Sequence, residues 1–406
     1  MAYLTGKRSI LRLRARAGQH HGESFAPPEL HAAMLDIGSL PIPVLRHNVE
    51  RWAMGTRKRP ARTEVPGDPS GTLAEVERVA LGGTGLLVSV AGLGCGGFSR
   101  LGLSAHGDEG QAVAVVRRSL ELGINFLDTA PSYGTEEVVG KAIERRRHEV
   151  VVSTKTLPRE GGTLLDGEAL GRSLEQSLRH LRTDHVDIFH LHGVGALDYD
   201  YCVAELVPAL VQLRARGLIR FLAVSERFAT EPGHAMMERA VTDGLWDVVM
   251  VGFNLLNQSA RDRVFPGTMA HDIGVEVMFA VRQALSQPEV LRRLVGGLID
   301  GGHVPPEAVD QDDPLGFLVH EGGATSVVDA AYRFCRHEPG CHVVLTGTGS
   351  AEHLEENVQS INRGPLPVDD IERLRRLFGR VDHVSGEETS AIAGFGSGEG
   401  PGSFRR

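Results

Sequence analysis

The sequence predicts an α/β protein folded as a closed (β/α)8 TIM barrel, and three patterns support this. Eight short apolar runs alternate with segments of helical spacing, and such units over about 300 residues match this barrel in size. The runs are almost continuously apolar, which is typical of parallel strands covered by helices. Several runs end in a polar or charged residue, and ligands of such barrels bind at the carboxyl ends of the strands.

An open, doubly wound sheet is the alternative arrangement for the same units. That fold usually carries a G-x-G-x-x-G turn between a strand and a helix, with an acid about 20 residues later. The glycine-rich segment Gly92–Gly97 has a different spacing, and no helix follows it at once. We therefore expect the closed barrel.

The strands are predicted from apolar and β-branched runs that end at glycine or at a polar residue. Val150–Lys155 shows the pattern most clearly, since three valines precede its polar end. In chain order, the predicted strands are Leu86–Leu93, Ile124–Leu127, Val150–Lys155, Val186–His192, Ile219–Val224, Val248–Val251, Val275–Phe279 and Val343–Leu345.

The helices are predicted from apolar residues three and four positions apart. Leu170, Leu174, Leu178 and Leu181 form one such stripe. The predicted helices are Glu109–Leu122, Glu136–Arg147, Leu170–Leu181, Ala204–Arg216, Ala235–Val241, Gln258–His271, Ser350–Ser360 and Val368–Phe378, with a helical region 289–337 broken at Val304–Pro314. The insertion 287–323 falls on the seventh strand-to-helix loop, where we expect it to influence substrate specificity.

The barrel is predicted to span residues 75–383, between two segments of different composition. Residues 1–74 are a predicted poorly ordered, basic extension, because residues 1–63 hold 11 Lys and Arg against 4 Asp and Glu. The first 18 residues lack acids, as organelle-import peptides do, but the apolar core of a secretory signal is missing. We expect a cytoplasmic protein. Residues 384–406, rich in Gly, Ser and Glu, are predicted to be disordered.

The composition argues against several classes of partner. The net charge is −9, and the basic extension leaves the rest of the chain more acidic still, so nucleic acid is not the expected partner. No apolar run approaches the roughly 18 residues that span a bilayer, so no membrane partner is expected. The four cysteines form no C-x-x-C pair and the 18 histidines no H-E-x-x-H motif, so no metal site is predicted.

Four polar residues follow three consecutive predicted strands. Asp128 ends the second strand and Tyr133 lies in the loop after it, while Lys155 and His192 end the third and fourth strands. Because parallel strands in a barrel open on one face, these side chains are expected to converge. Lysine is scarce in this chain, with only 4 against 39 arginines, which makes a lysine at a strand end notable.

Such a cluster suits proton transfer to a carbonyl oxygen. A free phenol has a pKa near 10, and the ammonium of Lys155 is expected to lower the pKa of Tyr133. Asp128 would supply the counter-ion of a buried ammonium, and His192 could hydrogen-bond a carbonyl oxygen. The side chains supply no hydride, which implies a nicotinamide cofactor.

The pattern resembles the aldo-keto reductase superfamily over about residues 78–380. The segments that carry the resemblance are Leu81–Gly85, Gly123–Gly134, Thr154-Lys155, Asp187–His192, Val224-Ser225 and Thr346–Asn357. The resemblance implies that Tyr133 is the general acid–base, that Lys155 and Asp128 tune it, and that His192 orients the carbonyl. His190, two residues earlier on the same strand, is a competing imidazole that we expect to be a buried structural histidine.

The resemblance also implies a dinucleotide, NADP or NAD, lying extended across the barrel mouth. The expected cofactor contacts are Ser225, Glu226, Met250, Phe279, Arg282, Gly347, Thr348, Gly349, Ser350, His353 and Asn357. Gly347–Ser350 and the helix that follows would hold the adenosine phosphate, and Asn357 would meet the adenine. Gly347 and His353 stand where NADP-preferring members have Lys and Arg, so the choice between NADP and NAD stays open.

The chain departs from the family around the nicotinamide. Glu226 and Met250 stand where the family usually has an Asn and a Gln that hold the carboxamide. Phe279 lies where many members stack a Tyr on the nicotinamide ring. Arg282 is expected to contact a cofactor phosphate, a substrate acid group or a neighbouring acid at the rim.

Two other functions stay open at this point. A regulatory or interaction protein on the same barrel would bind dinucleotide without turnover, and Glu226, Met250 and the basic extension slightly favour it. A metal-dependent hydrolase would need histidines and acids at ligand spacing on successive strand ends, which the sequence does not show. The expected partner is a small carbonyl or alcohol substrate, and the 5% aromatic content mildly favours a polar one such as a sugar.

Overall fold

A computed structural model describes residues 76–105 and 107–387 of the chain. Eight parallel strands close into one barrel in which every strand pairs with its neighbours in chain order. The strands are β1 (Ala91–Gly94), β2 (Phe126–Asp128), β3 (Val151–Thr156), β4 (Val186–Val194), β5 (Ile219–Glu226), β6 (Val248–Gly252), β7 (Gly274–Met278) and β8 (Val343–Thr346). The predicted (β/α)8 barrel is therefore confirmed.

Helices cover the outside of the barrel. They are α1 (Glu109–Glu121), α2 (Glu136–Ile143), α3 (Gly167–Leu181), α4 (Val207–Ala215), α5 (Ala235–Ala240), α6 (Phe265–His271), α7 (Pro288–Asp300), α8 (Val327–Arg336), α9 (Ala351–Asn362) and α10 (Val368–Phe378). Shorter helical segments are Tyr199–Tyr201, Cys202–Leu206, Ala260–Arg263 and Gln283–Ser286. In α3 the predicted leucine stripe is buried against the barrel, as its spacing requires. Within the described ranges, none of these helices has the length and apolar character to cross a membrane.

The first predicted strand, Leu86–Leu93, is wrong as a single element. Leu87–Ser89 pairs with Arg78–Ala80 in an antiparallel hairpin, and the barrel strand β1 begins only at Ala91. The chain bends here because Ser89 is fixed to Asn125. The Ser89 amide donates to Asn125 Oδ1 at 2.7 Å, and the Asn125 amide donates to Ser89 Oγ at 3.0 Å.

The hairpin closes the amino-terminal end of the barrel. Leu81, Leu86 and Val88 are buried against side chains from several barrel strands, Phe126 and Ile188 among them. This small core is separate from the larger one between the strands and the helices. The amino-terminal end is thus filled with apolar side chains, which leaves the carboxyl end as the place for a site.

The predicted helical region 289–337 consists of two helices and a longer break than expected. α7 ends at Asp300 and α8 begins at Val327, with single 3-10 turns at Pro306–Ala308 and Gly316–Leu318 between them. Apolar residues of the connection, such as Leu315 and Leu318, are fully buried. Burial of these side chains holds the connection against the barrel without a continuous helix.

The chain continues past α10 along the carboxyl end of the barrel. The predicted basic extension 1–74 lies outside the described residues, and so does most of the predicted tail, 388–406. Residues 384–387 of that tail are described, and they pack near the loops that follow β6 and β7.

Candidate active site

The four candidate catalytic residues meet at the carboxyl end of the barrel. Asp128 is the last residue of β2, and Lys155 and His192 lie near the ends of β3 and β4. Tyr133 ends a short 3-10 turn, Pro131–Tyr133, that follows β2 directly. The convergence expected from the strand order is what the structure shows.

Lys155 and Asp128 form a buried ion pair. The Lys155 side chain is fully buried, and its Nζ donates to Asp128 Oδ1 and to the carbonyl oxygen of Thr129 at 2.9 Å. Ser153 Oγ donates to the same carboxylate oxygen at 3.1 Å. Burial favours the neutral amine, but the surrounding acidic groups, Asp128 first among them, together outweigh burial and hold the pKa of Lys155 above its usual value. Lys155 is therefore a fixed positive charge under the site.

Tyr133 lies between this ammonium and an imidazole. Its Oη is 3.4 Å from His192 Nε2, and the two rings meet edge to face with centroids 5.6 Å apart. Lys155 Nζ is 5.1 Å from the centroid of the phenol ring. The ring also packs on Gly96, where a Cβ atom would approach Tyr133 Cε2 to 2.5 Å. Only glycine fits at Gly96 with the phenol in this position.

Burial gives the pKa of the Tyr133 phenol a different net shift from the one expected. Burial raises the pKa of Tyr133, and the opposing effects of Lys155 and Arg282 reduce this rise without reversing it. Lys155 does lower the pKa of Tyr133, as expected, but desolvation is the larger effect, so the net pKa lies above the usual value. Tyr133 carries its proton at neutral pH and can donate it.

His192 is a neutral imidazole in this environment. Burial lowers its pKa well below the usual value, and the charge of Lys155 lowers it further. The ring can therefore donate one hydrogen bond from Nε2 or Nδ1, as its tautomer decides. A neutral donor beside a phenol suits binding of a carbonyl oxygen.

His190 pairs with a buried acid that was not predicted from the sequence. The residue is fully buried, and its Nε2 lies 3.0 Å from Oε1 of Glu276, an acid on β7 that is also fully buried. Burial raises the pKa of Glu276. The available signal was an acid between two valines of an apolar strand, Val275 and Val277, where a charge needs a partner.

Near the expected nicotinamide position, the side chains of Ser225 and Glu226 accept hydrogen bonds from backbone amides. Ser225 Oγ accepts from the amide of Gly193 at 2.8 Å. The Glu226 carboxylate accepts from the amide of Gly252 at 2.8 Å, and both its oxygens lie 2.9 Å from His234 Nδ1. Met250 is buried and pairs in register with Ser225 on the neighbouring strand.

His234 is a second residue that the sequence analysis missed. Its backbone is left-handed, with φ 63°, and its ring stacks on Phe228 at 5.4 Å. Its Nε2 is buried and has no hydrogen-bond partner within the described part of the chain. A buried polar atom with no partner is a place where a bound ligand can be recognised.

The segment after β8 has the features of a phosphate site. α9 is 12 residues long and begins at the mouth, with Ser350 Oγ accepting from the amide of His353 at 3.3 Å. The amides of the first helical turn have no partner inside the helix, and they favour an anion. Thr348 Oγ1 accepts from the amide of Ser350 at 3.1 Å, which fixes the approach to the helix. These groups fit one phosphate of a dinucleotide.

Gly347, Gly349 and Asn357, the other predicted cofactor contacts described for this segment, each have a defined structural setting. A Cβ atom on Gly347 would lie 3.0 Å from the carbonyl oxygen of Gly94, and one on Gly349 would lie 2.4 Å from Gly102 Cα. Both glycines therefore let two backbone segments pass in close contact. Asn357 Nδ2 donates to Thr346 Oγ1 at 2.9 Å, so its amide is oriented by the end of β8.

Phe279 and Arg282 lie on the loop after β7. Phe279 has a left-handed backbone, with φ 64°, and its ring meets Phe228 edge to face at 5.3 Å. The Arg282 guanidinium lies over the Phe279 ring, with Cζ 3.9 Å from the centroid. Its Nε is 3.2 Å from Oε1 of Glu387, a residue of the described carboxyl-terminal segment. Glu387 is the third residue that the sequence analysis missed, because it assigned this segment to a disordered tail.

No group of three or more His, Cys, Asp or Glu side chains in residues 76–105 and 107–387 is arranged to hold a metal ion. The acids of the site are instead engaged by organic partners, Asp128 by Lys155, Glu226 by His234 and Glu276 by His190.

The chain was compared with known families and structures. The model of the aldo/keto reductase family matches residues 92–378. The chain is 26% identical over 304 residues to the uncharacterized oxidoreductase YqkF of Bacillus subtilis (strain 168), covering 73% of this chain and 94% of that protein. It is 38% identical over 161 residues to L-galactose dehydrogenase of Arabidopsis thaliana, covering 38% of this chain and 49% of that enzyme.

Among solved structures, an aldo-keto reductase from Klebsiella pneumoniae in complex with NADPH is similar with a TM-score of 0.56 at 25% identity. The similarity covers 75% of this chain and 95% of that structure. The family match itself includes all eight barrel strands except the first residue of β1, and it contains Asp128, Tyr133, Lys155 and His192. The resemblance drawn from the sequence is confirmed, and the chain belongs to the aldo/keto reductase family.

Proposed function

We propose that this chain is a nicotinamide-dependent oxidoreductase that interconverts a carbonyl compound and its alcohol, with Tyr133 as general acid–base. The observation that carries the proposal is the position of Tyr133 Oη, 3.4 Å from a neutral His192 and beside the buried Lys155–Asp128 pair. Membership of the aldo/keto reductase family supports the same reaction.

Each residue has a separate part in the reduction. His192 donates a hydrogen bond to the carbonyl oxygen and fixes its position next to the phenol. Tyr133 transfers its proton to that oxygen as the carbon accepts hydride. Lys155 stabilises the phenolate that remains, and Asp128 keeps the ammonium charged and in place. In the oxidation direction the phenolate takes the proton back from the alcohol.

The cofactor of the proposed reaction is NADP or NAD, which supplies or accepts the hydride when bound. The first turn of α9, with Ser350 at its start, would hold the adenosine phosphate, and Asn357 would face the adenine. At the other end, Glu226 would accept from the carboxamide amino group, since a carboxylate can replace the usual amide oxygen as acceptor. The NADPH complex of the Klebsiella relative supports a dinucleotide at this mouth.

Replacement of the phenol tests the proposal. Tyr133→Phe is expected to lower kcat by about 10²- to 10⁴-fold, the usual contribution of a general acid–base, and to leave dinucleotide affinity unchanged. Turnover would be measured with a panel of aldehydes, ketones and sugars, and affinity by quenching of NADPH and NADH fluorescence. Tyr201→Phe is the matched control, because its hydroxyl bonds the carbonyl oxygen of Leu165 away from the site. Equal turnover in the Tyr133 variant and the wild type would contradict the proposal.

A second candidate function is a dinucleotide-binding regulatory or interaction protein without useful turnover. It draws support from Glu226, which is held by His234 and Gly252 where the family usually has an amide side chain. The same substrate panel separates the two functions. Dinucleotide binding without oxidation or reduction of any compound would favour the second, whereas turnover that depends on Tyr133 favours the first.

A further inference from the structure

A short carboxyl-terminal segment, residues 382–387, crosses the mouth of the barrel; we name it the strap. It is bonded to both neighbouring loops. Asn254 and Asn257, after β6, donate to the carbonyl oxygens of Ser385 at 3.1 Å and Val384 at 2.9 Å. After β7, the amide of Ala284 donates to the carbonyl oxygen of Gly386 at 3.0 Å. These bonds fix the path of the strap as far as Gly386.

Within the strap, the carboxylate of Glu387 is directed at Arg282. The side chains of Arg282 and Glu387 are 22% and 5% exposed, so the ion pair is largely withdrawn from water. A buried cation is costly without a counter-charge. Glu387 supplies that counter-charge.

Arg282 is bound less completely than the structural arginines of this chain. Arg333 donates to the carbonyl oxygens of Gly364, Gly323 and Pro365, and Arg261 holds Glu338 through two nitrogens. A structural arginine in this way uses several of its five N–H donors in hydrogen bonds to the protein.

By contrast, the Arg282 guanidinium forms one ion-pair contact, to Glu387, and no hydrogen bond within the described ranges. Its remaining contacts are with aromatic faces. Its Cζ lies 3.9 Å from the Phe279 centroid and 5.5 Å from the Phe98 centroid. Aromatic rings hold a guanidinium in a fixed plane while its edge stays available for a carboxylate.

The position of Arg282 connects it with the catalytic phenol. Gly96 packs on the Tyr133 ring, and a Cβ atom on the adjacent Gly97 would lie 3.3 Å from Arg282 Nη1. Two consecutive glycines thus pass beside the phenol and the guanidinium. Arg282 also lowers the pKa of Tyr133, which places its charge within electrostatic reach of the site.

We propose that Arg282 is the recognition site for a carboxylate on the carbonyl substrate, and that Glu387 occupies this site until the substrate displaces it. The subsite rests on the function proposed above and names its substrate class, an oxo acid or a sugar acid. Glu387 then acts as a specificity determinant, since only a second anion can replace it on Arg282 without leaving a buried cation unpaired.

The probes are 4-oxobutanoate and its uncharged methyl ester, which differ little except in charge. Arg282→Met is expected to raise KM for the oxo acid about tenfold or more, and to change KM for the ester by less than twofold. Arg282→Lys keeps the charge and should retain part of the preference. Glu387→Gln removes the competing carboxylate and should lower KM for the oxo acid alone.

Arg373→Met is the matched control, because Arg373 also lies over an aromatic ring, 4.0 Å from the Phe317 centroid, but on α10. It should change neither KM. Equal losses for acid and ester in Arg282→Met, or a loss confined to dinucleotide affinity, would overturn the subsite.

A binding measurement separates failure of the subsite from failure of the proposed function. Calorimetric titration of butanedioate into the protein saturated with oxidised dinucleotide needs no turnover. Binding that Arg282→Met weakens about tenfold or more supports the subsite even if neither oxo compound is reduced. Absence of butanedioate binding to the wild type would refute it even if the methyl ester is reduced.

Discussion

The buried ammonium of Lys155 determines how the site responds to pH. Burial raises the pKa of Tyr133, while Lys155 acts in the opposite direction. In the proposed reduction the phenol must carry its proton, so the rate should be retained below the pKa of Tyr133 and fall as the pH rises through it. On this proposal the charge of Lys155 affects the alkaline limit of the reaction and not its acidic limit.

Removal of this charge gives a directional prediction. Lys155→Met should move the alkaline limit of kcat/KM for reduction to higher pH, and it should lower kcat because the phenolate loses its stabilising charge. The variant also leaves Asp128 as an unpaired buried acid, so the double variant Asp128→Asn with Lys155→Met serves as the control for folding. An alkaline limit that stays in place in both variants would show that Tyr133 is not the titrating group.

The sequence was informative about the four residues around the phenol and uninformative about the partners of His190 and Glu226. Asp128, Tyr133, Lys155 and His192 could be predicted because strand order alone brings consecutive strand ends together. The partners of His190 and Glu226 could not be predicted. Glu276 lies 86 positions along the chain from His190, and His234 lies on an irregular loop after Glu226. The net effect of burial on the Tyr133 pKa also requires the packing and not the residue types.

At the scale of elements, the loop after β1 positions the phenol by leaving room for it. A Cβ on Gly96 would lie 2.5 Å from the Tyr133 ring, whereas one on Gly94 would have its nearest neighbour at 3.5 Å, an ordinary contact. Both glycines border the same strand end, yet of the two only Gly96 constrains the Tyr133 side chain. The glycine-rich segment that fits no dinucleotide-binding turn thus has a steric role.

Alanine substitution at these two glycines tests that role. Gly96→Ala should displace the Tyr133 ring and lower kcat by about 10²-fold, since shifts of about 1 Å in a reacting group have this effect. Gly94→Ala should change kcat little. Circular dichroism would verify that both variants fold, and similar kcat values for the two would contradict a steric role for Gly96.

Element boundaries were predictable where hydrophobic periodicity decides them, as in α10, which spans Val368–Phe378 as expected. Periodicity failed at Leu86–Leu93, because the apolar run continues through a corner. That corner depends on hydrogen bonds between Ser89 and Asn125, 36 positions apart. No local pattern reveals a bond between residues so far apart in the chain.

On the scale of the whole molecule, the two ends of the barrel have separate tasks. The hairpin fills the amino-terminal end with apolar side chains, while the polar groups of the site occupy the other end. Stability and chemistry should therefore respond to different substitutions.

The hairpin provides the corresponding prediction. Leu81 is fully buried in its small core, so Leu81→Ala should lower the free energy of unfolding by about 2–5 kcal/mol, the usual range for a buried leucine. Leu87→Ala in the same hairpin removes a side chain that is 57% exposed and should change it by no more than about 0.5 kcal/mol. Urea denaturation measures both, and kcat should equal that of the wild type in both variants.

The course of the strap also determines when the active site becomes complete during synthesis. The groups that we propose to move the proton all come from β2, β3 and β4 and the loop after β2, in the first half of the barrel. Glu387 lies beyond α10, so it leaves the ribosome after every other residue of the mouth in the described part of the chain. A nascent chain thus holds the groups that we propose for proton transfer long before it holds the residue that we propose as its substrate filter.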